Sequence, residues 1–414
     1  MNLKNVMHEK ILARLGSIQE WFTLKRQGLS LPVYSGYDIR DAGFKAAVVD
    51  ANIYPAGFNN ICQVDKENAK DLMQAYLDRH YGDDFRRVLL LTEEHTANAY
   101  YWENVHALQS ILEQAGREVR IGIPRDLPEP LQVTSASGFE MTVNSAKRRD
   151  GGVAVDDFDP QLIISNNDFS MAYEEWGAGL KTPMNPPREM GWYQRKKSRF
   201  FRFYNDLVEE FAGLIEIDPW FLQVTTERFT PFDLTDGQVT DRLAEAAEKM
   251  LADIAEKYRQ HDIQDEPFLV IKNNSGTYGL AVIQVKSGDD IKSLNYKARK
   301  KMKAAKGGRA VSEVILQEGV PSAVITGSEV SEPAIYMIGS RLAGGFLRAH
   351  GKKGPKESLN SPGAVYKRLC VSDLNVNVAG SPLENAYGWL GSLGGLAIGL
   401  EAADMKVAFP GYRV

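Results

Sequence analysis

A lysine and a glycine-rich loop stand between two apolar segments in the stretch FLVIKNNSGTYGLAVIQV. The pattern predicts a strand that ends at Lys272, a loop over 273–279 and a second strand. Gly276 and Gly279 allow the backbone to approach a ligand closely, and successive N–H groups in such a loop can bind an anion. A lysine ammonium adds a point charge for phosphate, so we take Lys272, Asn274, Gly276 and Gly279 as nucleotide-binding candidates. The stretch lacks the spacing of a Walker loop, and the alternative is an ordinary β-hairpin.

A second apolar strand runs into polar residues in VSEVILQEGVPS. Gln317 and Val320 can offer backbone N–H and C=O groups to an adenine edge, and Glu318 can bind a ribose hydroxyl. The alternative is a strand that ends in a glycine turn. The order of the segments favours a nucleotide site, because this strand follows the lysine-containing hairpin within about fifty residues along the chain.

Arg348 ends a predicted strand in GGFLRAHGKKGPKESLNSPGA and is followed by a Gly/Lys/Ser/Pro-rich loop near 351–364. An arginine at a strand end beside a mobile loop suits the stabilisation of charge on a transferring phosphoryl group. We therefore take Arg348 and Lys272 as the catalytic candidates. A surface arginine before a solvated loop is the alternative.

Two oxygen ligands alternate in VVDANIYPAGFNNI, where Asp50 and Asn52 face the same side of an extended segment. Carboxylate and amide oxygens suit Mg²⁺, which binds one or two protein ligands together with phosphate oxygens and water. An Asx-rich turn is the alternative. The candidates for binding an amino-acid substrate are Arg40, Lys45, Asn52, Asn59, Asn60 and Asn167.

The elements that must position these residues form an α/β region followed by an α+β region. Arg87–Leu91, Val119–Ile123 and Gln161–Ile164 read as buried strands separated by a helix and a hairpin, and five further strands follow Pro267. The segments predicted from this pattern are an N-terminal helix over 1–29, an α/β domain for substrate and metal over 30–180, a mainly helical subdomain over 181–265, and a nucleotide-binding domain over 266–414.

Composition narrows the classes of protein. The 414 residues carry a net charge of −5 with a pI near 5.8, which argues against a nucleic-acid partner. The two cysteines, Cys62 and Cys370, offer no disulfide framework or zinc pattern, so we expect two small buried side chains in a reducing cytoplasm. No stretch reads as a signal peptide or membrane span. The sequence leaves open whether the chain is a monomer or a homodimer.

The order strand–Lys272–glycine loop–strand, then ILQEGV, then GGFLRAH resembles the nucleotide site of ATP-grasp ligases. The stretch VVDANIYPAGFNNI resembles the Glu-x-Asn metal segment of eukaryotic-type glutathione synthetase, with Asp50 at the glutamate. Over nearly its whole length the chain most resembles the small proteobacterial glutamate–cysteine ligases. That resemblance implies a glutathione-synthetase-like ATP-grasp architecture, ATP and Mg²⁺ as cofactors, and L-glutamate and L-cysteine as small-molecule substrates that form γ-glutamylcysteine.

Two further positions depart from the synthetase pattern. Gly276 stands where the synthetase has a metal-binding glutamate, and His350 stands where it has an ATP-binding lysine that Lys352 or Lys353 can replace. Lys197 occupies the place of a further nucleotide lysine, as Lys196 equally does. Another amino-acid ligase, or a nucleotide- or amino-acid-binding protein without turnover, are the alternative functions.

Overall fold

The computed structural model describes residues 3–94, 97–276, 282–303 and 311–414. Its α-helices are α1 (Leu3–Ala13), α2 (Leu15–Arg26), α3 (Gln63–His80), α4 (Ala99–Gln114), α5 (Glu174–Gly177), α6 (Lys197–Leu214), α7 (Gly237–Gln260), α8 (Gly288–Lys292), α9 (Tyr296–Lys303) and α10 (Ala386–Asp404). Its first strands are β1 (Tyr34–Asp41), β2 (Ala46–Asn52), β3 (Arg87–Leu91), β4 (Glu118–Ile123), β5 (Leu131–Thr134), β6 (Glu140–Ser145), β7 (Lys147–Arg149), β8 (Gly152–Ala154), β9 (Leu162–Ser165) and β10 (Met184–Asn185). The later strands are β11 (Thr226–Phe229), β12 (Leu269–Asn273), β13 (Val282–Val285), β14 (Val314–Glu318), β15 (Ile325–Thr326), β16 (Glu329–Ile338), β17 (Arg341–His350), β18 (Val365–Leu369), β19 (Asn375–Val378) and β20 (Ser381–Glu384).

The central sheet is antiparallel and joins distant parts of the chain. Its order is β18-β17-β16-β1-β2, with β15 paired to β16. Strands β1 and β2, which the sequence places in the predicted 30–180 domain, therefore pair with strands of the predicted 266–414 segment. The five strands expected after Pro267 are divided between this sheet and a second one.

A parallel sheet is built from β10, β9, β3, β4 and β6, with β5 antiparallel at one edge, in the order β10-β9-β3-β4-β6-β5. The residues Val88–Leu91 of β3 and all of β9 are buried. Strands covered on both faces need continuous apolar runs, which is why these segments are readable from the sequence. The α/β interpretation of this region is confirmed.

A four-stranded antiparallel sheet has the order β11-β14-β12-β13 and carries Lys272 on β12 and Gln317 on β14. The predicted pair of strands around the glycine loop is confirmed as β12 and β13. Buried side chains of α7 pack with this sheet in one apolar cluster. Gly279 lies outside the described residues.

Helix α10 packs against the central sheet through glycine. A Cβ atom added at Gly394 would lie 2.5 Å from a ring carbon of Tyr37, and one at Gly391 would lie 3.2 Å from Ile335. The missing side chains let the helix axis approach the sheet closely, and the glycine-rich composition of the C-terminal segment thus has a packing cause. Among the described residues no helix is long and apolar enough to cross a membrane.

Candidate functional site

A cavity of about 950 Å³ is lined by residues from the central sheet, from the segments that follow β3 and β9, and from the loop before β18. Five predicted site residues line it, namely Asp50, Asn52, Asn59, Asn60 and Arg348. The structure therefore brings the two metal candidates, two further substrate candidates and the catalytic arginine together, although almost 300 residues separate Asp50 from Arg348 in sequence.

Strand register explains this grouping. Asp38 of β1 pairs with Asp50 of β2, and Glu332 of β16 pairs with Arg348 of β17. Residues that alternate along a strand share one face of the sheet, so charged side chains two residues apart converge. Asp38 was not among the predicted site residues. The sequence signal for Asp38 is its position two residues before Arg40, because side chains two residues apart on a strand point to the same face of the sheet.

Arg348 is the centre of a buried charge cluster. Its Nη1 donates to Asp38 Oδ2 at 2.9 Å and Glu332 Oε1 at 2.6 Å, and its Nη2 donates to Asp38 Oδ1 at 3.2 Å. Burial by itself would lower the pKa of Arg348. The carboxylates of Asp38 and Glu332 have the larger combined effect and raise the guanidinium pKa well above its usual value. Burial raises the pKa of Asp38 despite Arg348. The Nε of Arg348 is buried and has no partner.

Asp50 lies between two lysines. Lys197 forms an ion pair with Asp50, and Lys272 Nζ donates to the Val49 carbonyl at 2.9 Å and to Gln317 Oε1 at 2.6 Å. Burial alone would raise the pKa of Asp50, but Lys197 and Lys272 lower it, so the carboxylate is ionised. Burial lowers the pKa of Lys272 to about 8, although Asp50 opposes that shift. Lysines held so close together are suited to an anion with several charges.

The donor set of Asp50 and Asn52 fits a magnesium ion. Asp50 offers an ionised carboxylate, and Asn52 Oδ1 accepts one bond from Tyr54 N at 2.9 Å, which leaves an acceptor lone pair. Hard oxygen ligands of this kind suit Mg²⁺. In the described residues, the one cluster of His, Cys, Asp and Glu side chains close enough to share an ion is Cys62, Asp65 and Cys370.

Those two cysteines form a disulfide, so the expectation of two separate thiols is wrong. The Cα atoms of Cys62 and Cys370 are 5.8 Å apart across a sequence separation of 308 residues. Because both sulfurs are bonded to each other, this cluster is not a metal site. The disulfide joins the start of α3 to the segment after β18.

The loop that contains Asn274 is bound to the start of α6. Asn274 Oδ1 accepts from Ser198 N at 2.8 Å, and its carbonyl accepts from Lys197 N at 2.8 Å. Its Nδ2 also donates to Ser198 Oγ at 3.0 Å, so Asn274 holds the start of α6, where Lys197 lies. Gly276 has φ +110°, in the region that favours glycine.

Lys45, Glu318 and Val320 lie away from the cavity. Lys45 Nζ and Glu318 Oε1 form a buried ion pair at 2.8 Å, and Trp220 Nε1 donates to the same oxygen at 3.1 Å. Burial lowers the pKa of Lys45 to about 8, partly offset by Glu318. A role for Lys45 in binding substrate, or for Glu318 in binding ribose, stays a prediction and would require this ion pair to open. Val320 is buried.

Arg40 and His350 hold the loop over 351–364. Arg40 donates to the carbonyls of Pro355 at 3.0 Å and Glu357 at 2.8 Å. His350 Nδ1 accepts from Lys352 N at 3.2 Å, and Nε2 therefore carries the hydrogen that it donates to Pro362 O at 3.1 Å. Both side chains fasten a loop whose last residues line the cavity.

Asn167 is turned toward the backbone of the parallel sheet. Its Nδ2 donates to Thr92 O at 3.0 Å and its Oδ1 accepts from Phe169 N at 2.9 Å. Its neighbours Asn166 and Asp168 line the cavity instead. Asp168 and Glu93 were both missed as candidates, although each follows a buried strand of the parallel sheet, where ligands of α/β proteins commonly bind.

Solved structures similar to this chain include one close in sequence. The crystal structure of a putative γ-glutamylcysteine synthetase from Methylobacillus flagellatus KT is 36% identical, with a TM-score of 0.88 over 97% of this chain and 96% of that one. D-cycloserine synthetase DcsG is 12% identical, with a TM-score of 0.37 over 78% and 83%. A RimK domain ATP-grasp protein from Sphaerobacter thermophilus is 15% identical, with a TM-score of 0.31 over 77% and 98%.

The family assignment does not depend on the two remote similarities. No curated protein sequence is significantly similar to this chain. The model of the glutamate–cysteine ligase family matches residues 8–402, which include every cavity-lining residue described above. Since that match spans nearly the whole chain, the protein belongs to the glutamate–cysteine ligase family.

Proposed function

We propose that this enzyme joins the γ-carboxylate of L-glutamate to the amine of L-cysteine, with ATP converted to ADP and phosphate. The observation that carries the proposal is the convergence of Arg348, Asp50 and two lysines beside one cavity. An arginine and an ionised carboxylate at the cavity wall, with two lysines beside that carboxylate, suit a polyanionic nucleotide together with a divalent ion. The expected cytoplasmic location remains a prediction.

The reaction has two steps. The glutamate γ-carboxylate oxygen attacks the γ-phosphorus of ATP, the bond to the β-phosphate oxygen breaks, and an acyl-phosphate forms. The neutral cysteine amine then attacks the acyl carbon, the bond from that carbon to the phosphate oxygen breaks, and the nitrogen loses a proton as phosphate leaves and the amide forms. Lys272 and Lys197 position the phosphates, while Arg348 stabilises charge on the transferred group. Asp50 and Asn52 would hold Mg²⁺, which when bound neutralises phosphate oxygens.

The loop over 351–364 excludes water from the acyl-phosphate, which water would otherwise hydrolyse. Arg40 and His350 fasten this loop through backbone carbonyls. Their part in the reaction is thus to keep the cavity closed.

The test compares ADP release with L-glutamate plus L-cysteine against release with γ-glutamylcysteine plus glycine. We expect turnover with the first pair alone. Turnover with only the second pair would indicate a glutathione-synthetase-like activity, and no ADP with either pair would indicate a binding protein without turnover. Both results would contradict the proposal.

A further inference from the structure

The crevice outside strands β3 and β9 is a topological switch point. In the parallel sheet β3 and β9 are neighbours, and the chain continues from β3 to β4 on one side and from β9 to β10 on the other, so the connections that leave their carboxyl ends diverge. In open α/β sheets, such a crevice at the carboxyl ends of the strands is the place where ligands bind. Glu93 lies two residues beyond β3, Asp168 lies three beyond β9, and both line the cavity.

These carboxylates are held rigidly. Glu93 is 6% exposed and Asp168 is 3% exposed. Glu93 Oε1 accepts from Asp168 N at 3.1 Å, which ties the two segments together, and Asp168 Oδ1 accepts from Ser170 N at 2.9 Å. Of the charged residues lining the described cavity, five are acidic and one, Arg348, is basic. Two of these acidic residues, Glu93 and Asp168, stand together at the carboxyl ends of β3 and β9.

Unsatisfied hydrogen-bonding atoms concentrate at the same cavity. In the described part of the chain, six residues carry a buried side-chain atom without a partner, and three of them, Asn59, Trp192 and Arg348, line this cavity. Trp192 is 4% exposed, its indole Nε1 is unpaired, and its backbone N donates to Asp168 O at 3.0 Å. An unpaired buried donor costs about 1–3 kcal/mol, and a ligand acceptor would remove that penalty.

We propose that Glu93 and Asp168 bind the α-ammonium of L-glutamate and that Trp192 Nε1 donates to its α-carboxylate. This subsite rests on the ligase function proposed above and names the residues that select an α-amino acid. Carboxylates that stabilise an ammonium oppose its deprotonation, so the amine they hold cannot be the nucleophile. The cysteine amine is consumed in the reaction, and the α-ammonium of glutamate is the one that remains charged.

The experiment compares L-glutamate with glutarate, which has both carboxylates but no α-ammonium. Glu93→Gln and Asp168→Asn keep the acceptor oxygens that bind Asp168 N and Ser170 N, and they remove only the charge. We expect each variant to raise the KM for glutamate at least tenfold, while the inhibition constant of glutarate stays within twofold of wild type. Trp192→Phe should weaken both ligands by the same factor, since it removes a donor to a carboxylate that both possess.

Glu94→Gln is the matched control, because Glu94 follows the same strand but pairs with Arg125 and does not line the cavity. A parallel rise of the glutamate KM and the glutarate inhibition constant in Glu93→Gln and Asp168→Asn would overturn the subsite. So would a change confined to the cysteine KM or to the Mg²⁺ requirement. If the wild-type enzyme releases no ADP with glutamate and cysteine, the ligase function itself fails. Direct titration of the protein with glutamate and glutarate then still tests the ammonium contact.

Discussion

Replacing Arg348 with methionine should weaken the fold and the reaction for separate reasons. Arg348 neutralises Asp38 and Glu332; Arg348 and Glu332 are buried, and the Asp38 side chain is partly buried at the cavity wall. Removing one partner of a buried ion pair leaves an uncompensated charge, which costs about 3–5 kcal/mol. Glu332 keeps a partner in Arg40, with Arg40 Nε 2.6 Å from Glu332 Oε2, whereas Asp38 has Arg348 as its main cation. We therefore expect most of the loss in unfolding free energy to come from Asp38.

Adding Asp38→Asn to Arg348→Met separates the two effects. The double variant should recover most of the lost unfolding free energy, measured by chemical denaturation. Its turnover should stay roughly 100- to 1,000-fold below wild type, the usual loss when one donor to a developing charge is removed. Asp38→Asn alone is the control for any direct role of Asp38 in the site. Equal recovery of stability and ADP release in the double variant would refute the catalytic role of Arg348.

Three further results are expected. Burial lowers the pKa of Lys272 to about 8, so its cationic form is lost as the pH rises through 8. The kcat/KM for ATP should therefore fall near that pH in the wild-type enzyme but not in Lys272→Arg. An unchanged fall in the variant would assign the titration to another group, such as Lys45. Because the unfolded lysine keeps its proton up to about pH 10.4, the folded state binds fewer protons between these values and this group makes stability rise with pH. Replacing Cys62 and Cys370 with serine, or reducing the wild type, should lower the unfolding free energy by about 2–4 kcal/mol; reductant must have no effect on the double serine variant, and equal stability of oxidised and reduced wild type would contradict the prediction. Arg40→Met should release the loop over 351–364 and raise the ratio of ADP to dipeptide above one, as measured by coupled assay and chromatography; a ratio that stays at one would show that Arg40 does not keep water out.

The strands of the parallel sheet could be predicted because burial on both faces demands apolar runs, as in Val88–Leu91. The lysine-containing hairpin was predictable for a similar reason, since glycines interrupt two apolar segments. Arg348, Asp50 and Asn52 could be chosen by residue type and by their place in extended segments. These features depend on short stretches of chain.

Long-range pairing is what local patterns could not supply. Nothing around Tyr34–Asp41 indicates that it pairs with Glu329–Ile338, and that pairing brings Asp38 to Arg348. The Cys62–Cys370 disulfide was missed for a similar reason, because the start of α3 and the segment after β18 are distant in sequence and meet in the folded chain. Lys45 and Glu318 each suit a ligand-binding role by residue type, yet their 2.8 Å contact satisfies both charges inside the protein.

The acyl-phosphate is the central claim, and one isotope measurement tests it most directly. L-glutamate labelled with ¹⁸O in the γ-carboxylate is incubated with ATP, L-cysteine and the enzyme, and the inorganic phosphate is analysed by mass spectrometry. The proposed reaction transfers one labelled oxygen into each phosphate, because the carboxylate oxygen becomes the bridge to phosphorus. Phosphate without label, formed together with γ-glutamylcysteine, would contradict it.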